Sequence, residues 1–140
     1  MKTTFLLSAM LAVVLVAGCK TSANAPAAPL EGTEWTLIEL NGQPLTTVQG
    51  LLVPTLKLDA ATKRANGTSG INRFGGGYDL TGANLKFGTL VGTRMAGPPE
   101  AMSRENAFLE AMRQVSSWRI TGKKLELKNG DTILLKLTAR

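Results

Sequence analysis

From residue 34 onward, apolar and polar residues alternate in short runs, and this pattern predicts a protein built mainly of β-strands. The runs are separated by glycine or by turn dipeptides such as Asn41-Gly42. The predicted strands cover Glu34–Leu40, Thr55–Asp59, Arg64–Thr68, residues 77–80, Asn84–Phe87 and residues 90–95. Residues 118–138 are expected to add two strands on either side of Asn129-Gly130.

The last hairpin can be joined in two ways, and the apolar pattern distinguishes them. A two-residue loop at Asn129-Gly130 would place Leu125 on the opposite face from Ile133, whereas a three-residue loop would pair the two. We therefore predict a loop of Lys128, Asn129 and Gly130, with Gly130 left-handed and a bulge beside it.

Residues 98–115 carry the helical period and are predicted to form the main helix. At about 100° per residue, one stripe contains the apolar residues Met102, Phe108, Leu109, Met112 and Val115. Glu105 falls inside this stripe, where a carboxylate is costly unless it is paired. Glu105 either lies in the first turn behind a Ser103 N-cap or forms an ion pair with Arg73 or Arg94.

The N-terminus has the pattern of a secretion signal. Lys2 precedes an apolar run at residues 5–16, which is shorter than the about 20 residues needed to span a bilayer. Residues 15–19 (LVAGC) resemble the bacterial lipobox, which implies cleavage after residue 18 and diacylglyceryl attachment to Cys19. The predicted organisation is therefore a lipoprotein signal peptide at 1–18, the lipidated Cys19 with a flexible tether at 19–29, and a folded domain at 30–140.

Composition narrows the possible chemistry. The chain has no histidine and one cysteine, which excludes an intramolecular disulfide, a Cys/His zinc site, a Ser-His-Asp triad and a Cys-His nucleophile. The net charge is +6, and removal of Lys2 with the signal leaves +5. We expect neither a cofactor nor a metal, and no nucleic-acid partner for an exported chain.

Four separated motifs carry a family resemblance. They are residues 30–37 (LEGTEWTL), 66–78 (NGTSGINRFGGGY), 93–96 (TRMA) and 105–109 (ENAFL). In this order and spacing they resemble the META domain, the HslJ-like family of bacterial envelope proteins, over residues 30–138. The resemblance implies an α+β fold, with an antiparallel sheet curled into an incomplete barrel around one helix, and an association with heat shock and tolerance of a hydrophobic antibiotic. It implies no reaction, so no catalytic residue is expected.

Two positions depart from the pattern of the family. Many relatives have cysteine where this chain has Ile71 and Gly97. If those cysteines pair in relatives, residues 71 and 97 should lie within about 7 Å of each other at their Cα atoms.

The candidate binding residues come from these motifs: Asn72, Arg73, Tyr78 and Arg94. Arg73 and Arg94 have the chemistry to hold a phosphate or carboxylate, with Asn72 beside them on the surface. A purely structural alternative is that Asn72 ties down a loop while the arginines pair with Glu105 or Asp79. The glycines at 75–77 lack the spacing of a phosphate-binding loop and are expected to form a tight turn or bulge.

These observations favour a non-enzymatic envelope lipoprotein that is anchored to the membrane through Cys19 and binds an apolar ligand or an envelope protein. Lys20, rather than aspartate, follows the cysteine, which is typical of export to the outer membrane with the domain facing the periplasm. The alternative is an inhibitor module that blocks a hydrolase such as lysozyme with an exposed loop at residues 72–78.

Overall fold

The computed structural model describes residues 26–140, which form ten strands and one helix. The strands are β1 (Glu34–Leu40), β2 (Gln43–Pro44), β3 (Thr55–Asp59), β4 (Arg64–Thr68), β5 (Arg73–Thr81), β6 (Asn84–Phe87), β7 (Val91–Gly92), β8 (Ser117–Thr121), β9 (Lys124–Asn129) and β10 (Thr132–Ala139). The helix α1 (Pro99–Gln114) lies between β7 and β8 in the chain. The predicted α+β class with one main helix is confirmed.

The strands form one antiparallel sheet that closes into an irregular ring. Its order is β10-β9-β8-β6-β5-β4-β3-β1-β2, and an additional pairing of β1 with β10 joins the two sides. The ring is weakest between β6 and β8, where Asn84 and Ser117 form the single paired position. The expected incomplete barrel is therefore present, with its defect at this seam.

The helix packs against the sheet and lies across a groove from β7. Strand β7 pairs with β5 through Val91 and Gly92, while its other side faces α1 across a groove. α1 packs against β1, β6 and β10, and the Phe108 ring meets the Phe74 ring edge-on at 5.6 Å between centroids. Helix and sheet therefore share one core.

Large side chains fill the interior of the ring. The largest fully buried ones are Trp35, Leu37, Leu56, Leu58, Leu85, Phe108, Met112, Leu125, Leu127, Leu135 and Leu137. The alternation predicted for β1 and β3 places Trp35 and Leu37, and Leu56 and Leu58, on this inner face. All described core residues and strand pairings lie within residues 28–140, so a chain of residues 20–140 keeps every one of them.

Three predicted strands differ from those found. The prediction for residues 77–80 was too short because β5 begins at Arg73 and passes through the three glycines, which form neither a tight turn nor a bulge. The predicted strand at residues 90–95 was too long, because strand pairing with β5 involves Val91 and Gly92 and ends there. Met95 is instead bonded to the side chain of Asn72. Residues 118–138 contain a further turn, where Gly122 has a φ of +59° and separates β8 from β9.

The predicted connection of the last hairpin is wrong. Asn129 pairs with Thr132, so the loop contains two residues, Gly130 and Asp131. The register shifts further along, between Ile133 and Leu135. This bulge absorbs one residue and brings Leu135 and Leu137 onto the face of Leu125 and Leu127, as the three-residue loop was expected to do, although Ile133 pairs with Lys128. Gly130 is left-handed as predicted, with a φ of +56°.

One glycine in β4 allows a close approach between strands. A Cβ atom on Gly67 would collide with the backbone carbonyl of Thr55 on β3. The neighbouring strand offers a matched control, since the nearest atom to a Cβ on Gly77 would be the Lys63 carbonyl oxygen at 4.0 Å.

We predict that Gly67→Ala lowers the free energy of unfolding by about 2 kcal/mol or more, because the new methyl group forces two strands apart. Urea denaturation of residues 20–140 measures the effect. Gly77→Ala should change the free energy of unfolding by less than about 0.5 kcal/mol. Equal losses in the two variants would show that the close contact at Gly67 is not what constrains this position.

Candidate functional site

A buried carboxylate connects α1 to the turn between β4 and β5. Glu105 accepts hydrogen bonds from the Ser69 hydroxyl at 2.8 Å, the Asn72 backbone N–H at 3.1 Å and the Asn72 side-chain amide at 2.7 Å. Ser69, Asn72 and Glu105 are all buried. The charge of Glu105 is thus compensated by donors rather than by a cation.

The side chain of Asn72 extends this network to a third segment. Its Oδ1 atom accepts from the Met95 backbone N–H at 2.8 Å and from the Thr93 hydroxyl at 2.8 Å. Its Nδ2 atom also donates a hydrogen bond to the Met95 carbonyl oxygen at 3.2 Å. One buried amide therefore holds residues 93–95, which follow the end of β7.

Both predictions for Glu105 are wrong. The helix begins at Pro99 with no side-chain cap, so Ser103 lies inside it and Glu105 is beyond the first turn. Within residues 26–140, Glu105 forms no ion pair with Arg73 or Arg94. Burial raises the pKa of Glu105, but hydrogen bonds from Asn72 and Ser69 outweigh this effect and hold the pKa below its ordinary value.

A groove of about 770 Å³ lies between β7 and α1, above this network. Its apolar lining includes Phe74, Leu90, Met102 and Leu109. Arginines 73, 94 and 113 also line it. The structure thus brings Asn72, Arg73 and Arg94 to one place, although Asn72 is buried rather than on the surface as expected.

The two predicted arginines differ from Asn72 in their surroundings. Arg73 and Arg94 are exposed, and no carboxylate among the described residues pairs with either, including Glu105 and Asp79. The structural alternative is therefore right for Asn72, which ties down a loop, and wrong for the arginines. Two guanidinium groups remain available to an anion from solution.

Tyr78 lies apart from the groove. Its ring is buried, and its hydroxyl donates a hydrogen bond to Glu31 and lies 3.1 Å from the Asp59 carbonyl oxygen. Lys63 pairs with Glu31 at 2.9 Å and lies over the Tyr78 ring. Hydrogen bonds from Tyr78 and Lys63 lower the pKa of Glu31, while burial and Glu31 raise the pKa of Tyr78. This cluster fixes the start of the domain, and its location separates Tyr78 from the other candidate binding residues.

Residues 71 and 97 are neighbours in space. A Cβ atom on Gly97 would collide with the side chain of Ile71, so the isoleucine occupies the space above the glycine. This contact agrees with the proximity expected if the corresponding cysteines pair in relatives. In this chain the position is filled by apolar packing.

Part of the predicted organisation lies outside the described residues, namely the signal peptide and Cys19. Contact with the domain begins at Ala28, whose N–H donates to the Gly122 carbonyl oxygen at 2.9 Å. Along residues 26–140, no helix has both the length and the apolar character required to cross a bilayer.

The fold and the buried network define a small barrel-like domain in which one helix packs against an irregular antiparallel sheet. The chain belongs to the META domain family, whose sequence profile matches residues 28–140. It is similar to a protein from Burkholderia xenovorans with a solved NMR structure, at 27% identity and a TM-score of 0.63 over 91% of this chain and 99% of that one. A second NMR structure shares the fold, with 23% identity and a TM-score of 0.59 over 78% of this chain and 90% of that one. No curated protein matches the sequence.

We predict that Glu105→Ala lowers the free energy of unfolding by about 3 kcal/mol, because buried donors on Ser69 and Asn72 lose their acceptor. Chemical denaturation measures the change. Glu110→Ala is the matched control on the same helix, since Glu110 is exposed and pairs with exposed Arg113. It should cost less than about 0.5 kcal/mol.

The lowered pKa of Glu105 also predicts how stability depends on pH. The ionised form contributes its full stabilisation above the unfolded-state pKa, near the ordinary value of 4.5, and loses it as the pH falls through the lower folded-state pKa. Denaturation curves between pH 7 and pH 3 should therefore show a smaller loss of stability in Glu105→Gln than in the unchanged protein. An identical pH dependence would contradict an ionised Glu105 in the folded state.

Proposed function

We propose that this chain is a non-enzymatic lipoprotein of the bacterial envelope, anchored through Cys19, whose groove between β7 and α1 binds an amphiphile with an anionic head group. The observation that carries the proposal is the pairing of an apolar lining with two arginines that have no carboxylate partner among the described residues. An alkyl chain suits the lining, and a phosphate or carboxylate suits the guanidinium groups.

The filled core supports a ligand on the outside of the ring. Trp35, Phe108 and Met112 are fully buried, together with one leucine of β1 and two leucines each of β3, β9 and β10, and they occupy the space that an internal acyl chain would need. The groove provides room without any repacking of this core. An amphiphile is therefore better accommodated between β7 and α1 than inside the barrel.

The network below the groove supports binding rather than catalysis. Glu105, the buried carboxylate beside the groove, already accepts three hydrogen bonds from Ser69 and Asn72. Its pKa is lowered, whereas a carboxyl group acting as a general acid at neutral pH needs a raised pKa. Its role here is to hold the walls of the groove together.

The inhibitor alternative receives less support. It requires residues 72–78 to form an exposed, protruding loop, but Arg73–Thr81 is strand β5 and Phe74 and Tyr78 are buried. The segment is paired with β4 on one side and with β6 and β7 on the other. It therefore has the environment of an interior strand of the sheet.

Calorimetric titration of residues 20–140 tests the groove with three probes: decyl phosphate, decyltrimethylammonium and inorganic phosphate, each below any micelle-forming concentration. We expect decyl phosphate to bind and the other two to bind at least tenfold more weakly. Arg73→Gln and Arg94→Gln should each weaken decyl phosphate binding by about tenfold, since a charged hydrogen bond contributes about 1.5 kcal/mol or more.

Two variants separate the parts of the site. Met102→Ser removes apolar lining and should weaken decyl phosphate binding without strengthening the binding of decyltrimethylammonium. Arg104→Gln is the control, because Arg104 lies on the same helix and does not line the groove. Equal binding of decyl phosphate and decyltrimethylammonium, or no effect of the Arg73 and Arg94 substitutions, would contradict the proposal.

The anchor has its own test. Mass spectrometry of the protein purified from membranes should find a mature N-terminus at Cys19 that carries acyl chains, and Cys19→Ala should leave the chain uncleaved and unacylated. An unmodified thiol on the mature protein would refute the lipid anchor, whatever the groove binds.

A further inference from the structure

Three large apolar side chains on the outer surface are unusually exposed. Leu52 and Val91 each retain 64% of their accessible surface, and Met95 retains 55%. Val91 lies opposite Gly75 and therefore on the outward face of the sheet, because the adjacent Phe74 and Gly76 are buried. Exposed apolar residues that cluster on a small domain mark an interaction surface rather than ordinary surface composition.

These three residues line two depressions that share Arg73 and Met95, and we call this surface the outer patch. Leu52 and Met95 line the same depression beside Arg73. Val91 and Met95 line the groove on the other side of Arg73, together with Arg94. The outer patch thus combines three exposed apolar side chains with two cationic ones, Arg73 and Arg94.

The exposed position of Met95 is held by buried interactions. Its backbone N–H donates to Asn72 Oδ1 at 2.8 Å, and its carbonyl oxygen accepts from Asn72 Nδ2 at 3.2 Å. Asn72 is in turn bonded to Glu105 on α1. An exposed methionine on a fixed backbone differs from one at a frayed loop, because it is presented to a partner at little further entropic cost.

The charges near the outer patch favour an anionic partner. Arg73 and Arg94 are exposed and lack carboxylate partners among residues 26–140. No acidic side chain lines the depression that Leu52, Arg73 and Met95 share. Apolar side chains that insert into the head-group region, flanked by arginines that contact lipid phosphates, are typical of a surface that binds an acidic bilayer.

We propose that the outer patch docks the domain against the surface of an anionic bilayer, with Leu52, Val91 and Met95 inserted and Arg73 and Arg94 on lipid phosphates. This contact is made by the folded domain itself and is independent of acylation at Cys19. It also goes beyond the ligand of the groove, because Leu52 lies outside the groove.

Co-sedimentation of residues 20–140 with vesicles measures this contact without the anchor. We expect stronger partitioning onto phosphatidylglycerol vesicles than onto phosphatidylcholine vesicles, and a decrease with added salt. Leu52→Ser combined with Met95→Ser should reduce partitioning onto phosphatidylglycerol by about tenfold, since each removes an apolar side chain that inserts. Arg73→Gln and Arg94→Gln should each reduce it by about fivefold.

The controls are an exposed apolar residue and an exposed cationic residue elsewhere on the surface. Ile38 is 36% exposed on β1, and Lys124 is exposed at the start of β9. Ile38→Ser and Lys124→Gln should leave partitioning unchanged. Thermal unfolding of each variant checks that the fold is retained, and an unstable double variant is replaced by Leu52→Ser alone.

The outcomes separate this inference from the proposed function. Reduced partitioning in Leu52→Ser with unchanged decyl phosphate binding supports the outer patch. Loss of decyl phosphate binding in Met102→Ser with unchanged partitioning would show that the outer patch contacts the bilayer independently of the groove. The inference is overturned if the two vesicle types bind equally, if the outer-patch variants behave like the unchanged protein, or if Ile38→Ser reduces partitioning as much as Leu52→Ser.

Discussion

The hydrogen-bonded contact between Asn72 and Glu105 is the interaction on which the arrangement of this domain depends. A buried carboxylate is tolerated only when donors replace the water that it loses, and here three donors from the 69–72 turn do so. The amide of Asn72 uses its remaining capacity on Thr93 and Met95. A fully satisfied network of this kind is rigid, so helix, turn and the 93–95 segment are fixed relative to one another.

This contact fixes the helix against an irregular sheet. The ring closes between β6 and β8 through a single paired position, and β7 is two residues long, so backbone pairing is weak at both places. The helix completes the structure through apolar contacts, of which Phe108 against Phe74 is one. Apolar contacts are tolerant of small rotations, whereas the bonds from Glu105 to Asn72 are directional. The network therefore defines the position in which the helix packs and, with it, the width of the groove.

Local alternation was sufficient to predict β1, β3, β4 and β6, because in each strand the buried side chains lie on one face of the sheet. The helix was predicted for the same reason. The partner of Glu105 was not predictable from periodicity, since Asn72 lies 33 residues away in the chain and no local pattern encodes that contact. The sequence did contain a signal, because a carboxylate within an apolar helical stripe requires donors from elsewhere, and the polar residues of the 66–78 motif were candidates.

The hairpin and the Tyr78 cluster illustrate a second limit. The predicted three-residue loop placed a bulge beside Gly130, whereas the structure has its bulge further along β10, between Ile133 and Leu135, and there it brings Leu135 and Leu137 to the face of Leu125 and Leu127. Tyr78 was grouped with Arg73 because the two share a motif, yet five residues along β5 place them in different surroundings. Proximity in the sequence was therefore a poorer guide than tertiary contacts to which candidate residues share a site.

The same network gives the outer surface its character. Most exposed methionines are mobile and adaptable, which makes them poor anchors for a defined orientation. Met95 differs because its backbone is bonded on both sides to the buried Asn72 amide, while its side chain remains 55% exposed. The buried polar network thus fixes the backbone that carries the exposed side chain of Met95. Arg73 and Arg94 lie in the two segments that Asn72 joins. Through this coupling, one buried amide and one carboxylate define both the groove and the outer patch.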